Sequence, residues 1–324
     1  MKIPIIPASY FGMVLGLAGL GTAWRSAAQA WRLPAIVGEA IMAVAVAVWA
    51  ILVLLFALKW LLARADAAAE VAHPVQCCFI GLAGVATLLA AGAILPHAPL
   101  AAELIGGAGL VFTQLFAIWR VGGLWQGGRD PAASTAVLYL PSVAGSFVSA
   151  IIASALGHAD WGQLFFGSGV FFWLAIESVL VHRFFTSPPM AEALRPTFGI
   201  QLAPAPVGLV AYLAVMPGPP DLVAHMLLGY GLVQTLIVIR LLPWICKAPF
   251  APSYWAFTFG VTALATGPIR LLLRGDVGPA ALLAPALFAF ANLVVGLVAF
   301  GTLWLLVRGQ LNLKWTGAAA AAGE

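Results

Sequence analysis

The sequence between positions 251 and 268 reads APSYWAFTFGVTALATGP. This stretch is uncharged and about as long as one membrane span, since about 20 apolar residues cross the hydrocarbon core of a bilayer. Four aromatic residues fall within positions 254–259. Thr258, Thr262 and Thr266 recur every four residues, so on a helix their hydroxyls share one face. With Phe259 and Gly260 at mid-depth, the stretch predicts a helix that lines and plugs a path through a membrane.

The composition predicts a membrane environment for the whole chain. Of its 324 residues, 63% are apolar and 8% are charged, whereas about a quarter of the residues in soluble domains are charged. This composition excludes a soluble protein and predicts a polytopic membrane protein. Cys77, Cys78 and Cys246 lie in or beside apolar runs and are too few for a disulfide framework or a zinc site. We expect no metal and no cofactor.

Ten apolar runs predict ten transmembrane helices in an all-α fold. The first run ends at Trp24 and Arg25 rather than at small residues, so we expect a retained span and not a signal peptide. Short connections predict a single transmembrane channel or transporter domain over residues 1–314, with a short flexible tail over residues 315–324. The predicted spans cover residues 5–24, 36–62, 74–95, 99–119, 136–157, 161–182, 197–216, 221–244, 253–273 and 279–307.

Positive charge is shared unevenly between the two sides of these spans. Lys and Arg accumulate in cytoplasmic loops, and most of the 15 such residues fall on the side that holds both termini. Both termini are therefore predicted to be cytoplasmic. That side carries Lys2, Lys59, Arg64, Arg120, Arg129, Arg183, Arg195, Arg240, Lys247, Arg308 and Lys314, and the opposite side carries Arg25, Arg32, Arg270 and Arg274.

An internal repeat runs through the chain. Every even span ends in a basic residue, and every odd span has a proline near its start, where it is expected to kink the helix. Five hairpins of one orientation around an axis leave a central hole, unlike the inverted repeats of many transporters. The alternative is that both residue types simply favour span ends. The basic residues are Lys59, Arg120, Arg183, Arg240 and Arg308, and the prolines are Pro7, Pro74, Pro141, Pro204 and Pro252.

Short segments in a fixed order along nearly the whole chain carry a family resemblance. They are YFG at 10–12, LGLA at 15–18, HPV at 73–75, LWQGG at 124–128, YLP at 139–141, LFFG at 164–167, LAPA at 202–205, GYG at 229–231, RLLPWI at 240–245, WAFTFG at 255–260 and GQL at 309–311. With them the chain resembles the family of the bacterial tellurite-resistance proteins (TehA) and the plant slow anion channels.

The resemblance implies ten helices with pseudo-five-fold symmetry, the first helix of each hairpin lining a central pore and the second forming an outer ring. It also implies a homotrimer with one pore per subunit, here in the bacterial inner membrane. Family members are described as anion channels, or as tellurite-resistance or C4-dicarboxylate transporters. The phenylalanine that occludes the family's pore falls on Phe259. A glycine whose replacement by a larger residue would fill the pore falls on Gly12.

Further pore-lining residues are expected on the odd helices. A lumen of hydroxyls and backbone amides without an acidic ring suits anions, because donors and positive helix ends replace their hydration. The alternative for Ser and Thr is a hydrogen bond back to their own helix. Besides the Phe259 gate, the predicted lining residues are Phe11, Gly12, Phe79, Pro141, Ser146, Phe147, Ser149, Pro204, Thr258 and Thr262.

Glu177 is the most deeply placed acidic residue of the predicted spans. Ionisable groups inside a membrane are functional candidates. One interpretation is a proton-coupling carboxylate, and the other is an ion pair with a basic residue at a neighbouring hairpin end, such as Arg120 or Arg240. These two arginines could also add positive potential at the cytoplasmic mouth or serve only as topology determinants.

Catalysis finds no support in the sequence. The five histidines fall near span ends or in loops, and no metalloprotease motif, phosphate loop or nucleophile elbow occurs. We therefore expect no enzyme but a gated channel that passes small anions through the lipid bilayer. The alternative is a proton-coupled secondary transporter for C4-dicarboxylates or oxyanions such as tellurite, with Glu177 as proton carrier. A sensor or scaffold without flux is the third hypothesis.

Overall fold

The computed structural model describes residues 5–311, and these residues form an all-helical protein, as the sequence predicts. Lys2, Lys314 and the predicted tail lie outside the described residues. The α-helices are α1 (Gly12–Trp31), α2 (Ala35–Leu62), α3 (Arg64–Ala72), α4 (Gln76–Ile94), α5 (Pro99–Trp125), α6 (Gly145–Ala155), α7 (Ala159–Thr186), α8 (Pro204–Val215), α9 (Leu222–Ile245), α10 (Thr258–Leu273) and α11 (Pro279–Val307).

Within residues 5–311, nine helical segments are long and apolar enough to cross a membrane, and they correspond to the second to tenth predicted spans. The helix α1 continues past residue 24, where the first predicted span ends, as far as Trp31. The helix tolerates Arg25 because that side chain pairs with Glu39 at 2.7 Å and donates to the carbonyl of Ala93. Whether α1 is a tenth span stays a prediction.

The segments fall into two groups by burial. The segments 76–94, 136–155, 192–215 and 252–273 are mostly buried, whereas α2, α5, α7, α9 and α11 are mostly exposed. The exposed faces carry large apolar side chains such as Leu54, Phe171, Leu236 and Phe300. Such a surface suits contact with lipid, where apolar side chains need no protein cover.

The buried helices contact one another in a closed order. α1 packs on α4, α4 on α6, α6 on α8, α8 on α10, and α10 returns to α1. Each of these helices also packs against the long helix that follows it, namely α2, α5, α7, α9 and α11. Glycine makes the closest of these contacts possible, because a Cβ atom added at Gly16 would collide with the side chain of Thr258. The contacts thus form an inner ring surrounded by outer helices.

The prolines of the repeat lie where the inner segments begin. Pro7 precedes a 3₁₀ turn (Ala8–Phe11), and Pro252 opens another (Pro252–Phe257). Pro141 lies in a π-helical turn (Leu140–Ala144), and Pro204 is the first residue of α8. A missing N–H costs little at a helix start, where no intrahelical acceptor exists. These prolines therefore change the helix type at the start of a segment instead of kinking an α-helix in its middle.

Candidate pore

A cavity of about 130 Å³ lies inside the ring, between the first turns of the inner segments. We call it the central cavity. Its walls are mainly apolar, and none of the described residues that line it is acidic. The lining residue nearest the middle of each inner helix is apolar in every case: Leu15, Leu82, Phe147, Val207 and Phe259. The cavity therefore ends on an apolar floor.

Phe259 belongs to this floor. The residues on either side of it in the sequence, Thr258 and Gly260, are buried, whereas the Phe259 side chain is partly exposed toward the cavity. The phenyl ring of Phe259 also lies close to α1, because a Cβ atom added at Gly19 would be 3.3 Å from the Cδ2 atom of Phe259. A partly exposed ring in an otherwise closed helical core is the feature expected of a plug.

Four other predicted lining residues also border the central cavity: Gly12, Phe79, Phe147 and Pro204. Gly12 has room for a larger side chain, because an added Cβ atom would meet the Trp255 Cβ at an ordinary 3.5 Å. The glycine thus leaves part of the cavity open at the start of α1.

Thr258 and Thr262, which the sequence predicts to line the pore, do not border the central cavity. Their hydroxyls donate to the carbonyls of Trp255 at 2.7 Å and Phe259 at 2.9 Å, and both side chains are fully buried. Thr266 donates in the same way to the carbonyl of Thr262. In an apolar interior a hydroxyl without a polar neighbour is satisfied by its own backbone. The hydroxyl face of α10 packs against the glycines of α1 and faces away from the cavity.

The remaining predicted lining residues also lie elsewhere. Phe11 is buried edge-to-face against Phe56 at 5.7 Å between ring centroids. Pro141 borders a lateral groove between α5 and α7. Ser149 is buried and accepts a hydrogen bond from Gln114 at 3.1 Å, and Ser146 is buried outside the cavity lining. These residues lie on the inner segments, but their side chains do not border the central cavity.

Glu177 forms no ion pair with Arg120, Arg240 or any other basic residue among those described. Arg120 donates instead to the carbonyl of Pro74 at 3.1 Å. Neutral donors surround the carboxylate: the Tyr139 hydroxyl, Trp173 Nε1 at 3.0 Å, Gln201 Nε2 at 3.1 Å, the Tyr230 hydroxyl at 2.8 Å and Gln234 Nε2 at 3.0 Å.

This carboxylate network connects the outer helices α7 and α9 to the wall of the central cavity, which Tyr139 lines. The sequence reasoning missed its donors. A signal was present, since Tyr139 and Tyr230 are the tyrosines of the YLP and GYG segments. A tyrosine retained in an apolar span indicates that its hydroxyl has a partner.

A buried ion pair and a histidine hold the starts of the first two inner segments. Lys59 Nζ and Glu70 Oε2 form a buried ion pair at 2.6 Å, and Glu70 also accepts from the backbone N–H of Ala8 at 2.8 Å. His73 Nδ1 accepts from the N–H groups of Val75 and Gln76, both at 3.1 Å, which holds the first turn of α4. Burial lowers the pKa of His73, so the ring is neutral at pH 7 and remains an acceptor.

A second cavity, of about 480 Å³, lies at the other end of the inner helices. We call it the arginine cavity, because Arg25, Arg270 and Arg274 line it together with Thr22, Ser26 and Gln29. The sequence reasoning placed these arginines only as loop charges. It missed the cavity because it ended the first helix at residue 24, before the turn that carries Ser26 and Gln29.

Comparison with known proteins agrees with this architecture. The family described as SLAC1, voltage-dependent anion channel, matches residues 6–303. The chain is 36% identical over 310 residues to the tellurite resistance protein TehA homolog of Haemophilus influenzae, covering 95% of this chain and 93% of that protein. It is 21% identical over 282 residues to the S-type anion channel SLAH2 of Arabidopsis thaliana, covering 82% of this chain and 52% of that channel. The chain belongs to the SLAC1 family of voltage-dependent anion channels.

Proposed function

We propose that this protein is a gated channel for small anions, with five helical hairpins around a central pore that Phe259 closes. The observation that carries the proposal is the partly exposed Phe259 ring on the apolar floor of the central cavity. An aromatic ring across a narrow apolar lumen blocks ions by steric hindrance and by refusing them hydration. Anion current through bilayers containing wild type or Phe259→Ala tests the proposal.

The charges around the two cavities favour permeation by anions over permeation by cations. The central cavity has no acidic residue among the described residues of its lining, and three arginines line the arginine cavity, of which Arg25 is paired with Glu39. Clefts lined by one sign of charge raise the local concentration of the opposite ion. A cation would be repelled from the arginine cavity, whereas a small anion would be attracted to it.

Gly12 keeps the pore open on the α1 side in this proposal. In a Phe259→Ala background, Gly12→Leu is expected to reduce the anion current by about tenfold or more, as for an added barrier of about 1.4 kcal/mol. The fold should tolerate the change, because the added Cβ atom makes an ordinary contact at 3.5 Å. Single-channel recording measures the effect. Gly107→Leu is the matched control, since a Cβ atom there meets nothing within 4 Å and Gly107 borders no described cavity.

The rival function, a proton-coupled transporter of dicarboxylates or oxyanions, requires Glu177 to exchange protons. The carboxylate accepts hydrogen bonds from neutral donors on several elements, an arrangement that suits a fixed structural acceptor. Glu177→Gln introduces two N–H donors among groups that already donate. We expect a stability loss of about 1–3 kcal/mol, because donors are left unpaired.

Flux assays with and without an uncoupler separate the two functions. We expect the anion flux of both wild type and Glu177→Gln to be indifferent to the proton gradient. Wild-type uptake that collapses with the uncoupler, together with a Glu177→Gln variant that folds but no longer responds to it, would establish the transporter instead.

The remaining architecture is proposed from the charge count and the family. Both termini are cytoplasmic, the chain forms one transmembrane domain through residue 314, and three copies assemble in the bacterial inner membrane with one pore each. Cross-linking of the purified protein in membranes measures the number of copies. A protease-protected C-terminal tag in spheroplasts is the expected sign of the cytoplasmic side.

A further inference from the structure

The three arginines that line the arginine cavity differ in their bonding partners. Arg25 is neutralised by a bidentate pair with Glu39, at 2.7 and 2.8 Å, and also donates to the carbonyl of Ala93. Arg274 donates to the carbonyls of Leu213 and, at 2.8 Å, Met216. Both guanidinium groups are therefore held in place by the protein.

Arg270 differs from both, because it makes no hydrogen bond or ion pair with any residue between 5 and 311. It is partly buried at the end of α10 and lines the cavity. Taking a cation out of water is costly unless a partner replaces its hydration. The charge of Arg270 can therefore be balanced by an anion bound in the cavity.

Two acidic groups, one bonded to Arg25 and one close to Arg270 in the sequence, are already engaged. Glu39 binds Arg25 and also contacts His97 Nε2 at 2.9 Å. Asp276, six residues after Arg270, binds His225 Nε2 at 2.6 Å and accepts from the N–H of Gly278 at 2.7 Å. Neither carboxylate is bonded to Arg270.

Two neutral donors complete the lining. Ser26 and Gln29 stand three residues apart on α1, so they share a face, and both border the cavity. Neither side chain makes a hydrogen bond with the residues that the structure describes. Ser26 is nevertheless buried, with 6% of its surface exposed. A hydroxyl, an amide and a guanidinium group, none with a partner among residues 5–311, thus line the same cavity.

We propose that the arginine cavity binds a small inorganic anion, with Arg270 as the charged ligand and Ser26 and Gln29 as neutral hydrogen-bond donors. The planar guanidinium donates parallel N–H bonds, which match an oxyanion such as nitrate better than a spherical halide. Arg270 follows Phe259 by eleven residues on α10, or about 16 Å along the helix axis. Resting on the proposed channel function, the site holds an anion on the far side of the constriction from the central cavity.

Direct binding tests the site without any current. The melting temperature of the purified full-length protein is measured in gluconate buffer with increasing nitrate, because a ligand that binds only the folded state raises it. We expect nitrate to stabilise the wild type, Arg270→Gln to abolish this response, and Arg270→Lys and Ser26→Ala to weaken nitrate binding by about tenfold, the amount that a hydrogen bond to a charged group contributes. Arg270→Gln should also melt no lower than wild type in gluconate, since it removes an unpaired cation.

Arg308→Gln is the control, because Arg308 stacks on Trp304 at 4.1 Å and lies outside the cavity. An equal nitrate response in wild type, Arg270→Lys and Ser26→Ala would overturn the inference.

In the Phe259→Ala background, Arg270→Gln should lower the current at low nitrate more than at saturating nitrate. A conducting Phe259→Ala protein that is unaffected by Arg270→Gln contradicts the site alone. If Phe259→Ala carries no current but nitrate still stabilises it through Arg270, the channel function is contradicted and the anion site is supported.

Discussion

Phe259→Ala is expected to raise the anion current of this protein by at least about 100-fold, which corresponds to removing a barrier of about 3 kcal/mol. The ring lies on the apolar floor of the central cavity, against α1 near Gly19. Truncation to a methyl group opens the floor and lets water and ions share the lumen. Planar-bilayer recording of the purified protein measures the change.

The fold should survive this substitution, because Phe259 is partly exposed and the helices on either side of it are held by other contacts. Gly16 and Thr258 bring α1 and α10 together, and Gly260 packs on Leu202. Phe300→Ala is the matched control: it removes a ring of the same size from α11 that is 68% exposed and borders no described cavity. A Phe259→Ala protein that folds as well as Phe300→Ala but carries no more current than wild type would remove Phe259 from the gate.

Glu70→Ala is expected to destabilise the protein by about 3–5 kcal/mol, because it removes the carboxylate that balances the buried charge of Lys59. Lys59 and Glu70 are 2% and 1% exposed, and their charged atoms are 2.6 Å apart. The substitution also removes the acceptor of the Ala8 N–H group at the start of the first inner segment. The measurement is the melting temperature and the folded yield in detergent.

Two further variants show whether the stability is lost because the ion pair is broken or because any glutamate is removed. Glu103→Ala, at an exposed position of α5, should change stability by less than about 0.5 kcal/mol. The double variant Lys59→Met with Glu70→Leu should recover much of the loss, because a buried ion pair replaced by packed apolar groups is often neutral. A Glu70→Ala protein as stable as Glu103→Ala would show that the pair does not hold the start of the first inner segment.

The helical class and the order of the helices could be predicted from the sequence because both depend on composition and period. Apolar runs of about 20 residues identify segments that suit a bilayer, and nine such segments are present in residues 5–311. Phe259 and Gly12 could also be placed on the central cavity from the family segments. These predictions required only that the chain carry the right residue types at the right spacing.

The faces of the inner helices could not be predicted in the same way. Thr258 and Thr262 recur at helical spacing, but this spacing does not say whether their hydroxyls face the pore or a neighbouring helix. They face α1, because its glycines leave room for them. The partners of Glu177 lie on three other elements, and no sequence interval relates them. The turn of α1 beyond Arg25 was missed because its charge suggested a loop, whereas Glu39 pairs with that charge inside the structure.

The decisive measurement for the proposed channel is the reversal potential of the Phe259→Ala current under a chloride gradient, with and without a proton gradient. An anion pore closed by Phe259 predicts a large current that reverses near the chloride equilibrium potential and does not shift when the proton gradient is imposed. A reversal potential that follows the proton gradient, or the cation gradient, would contradict it.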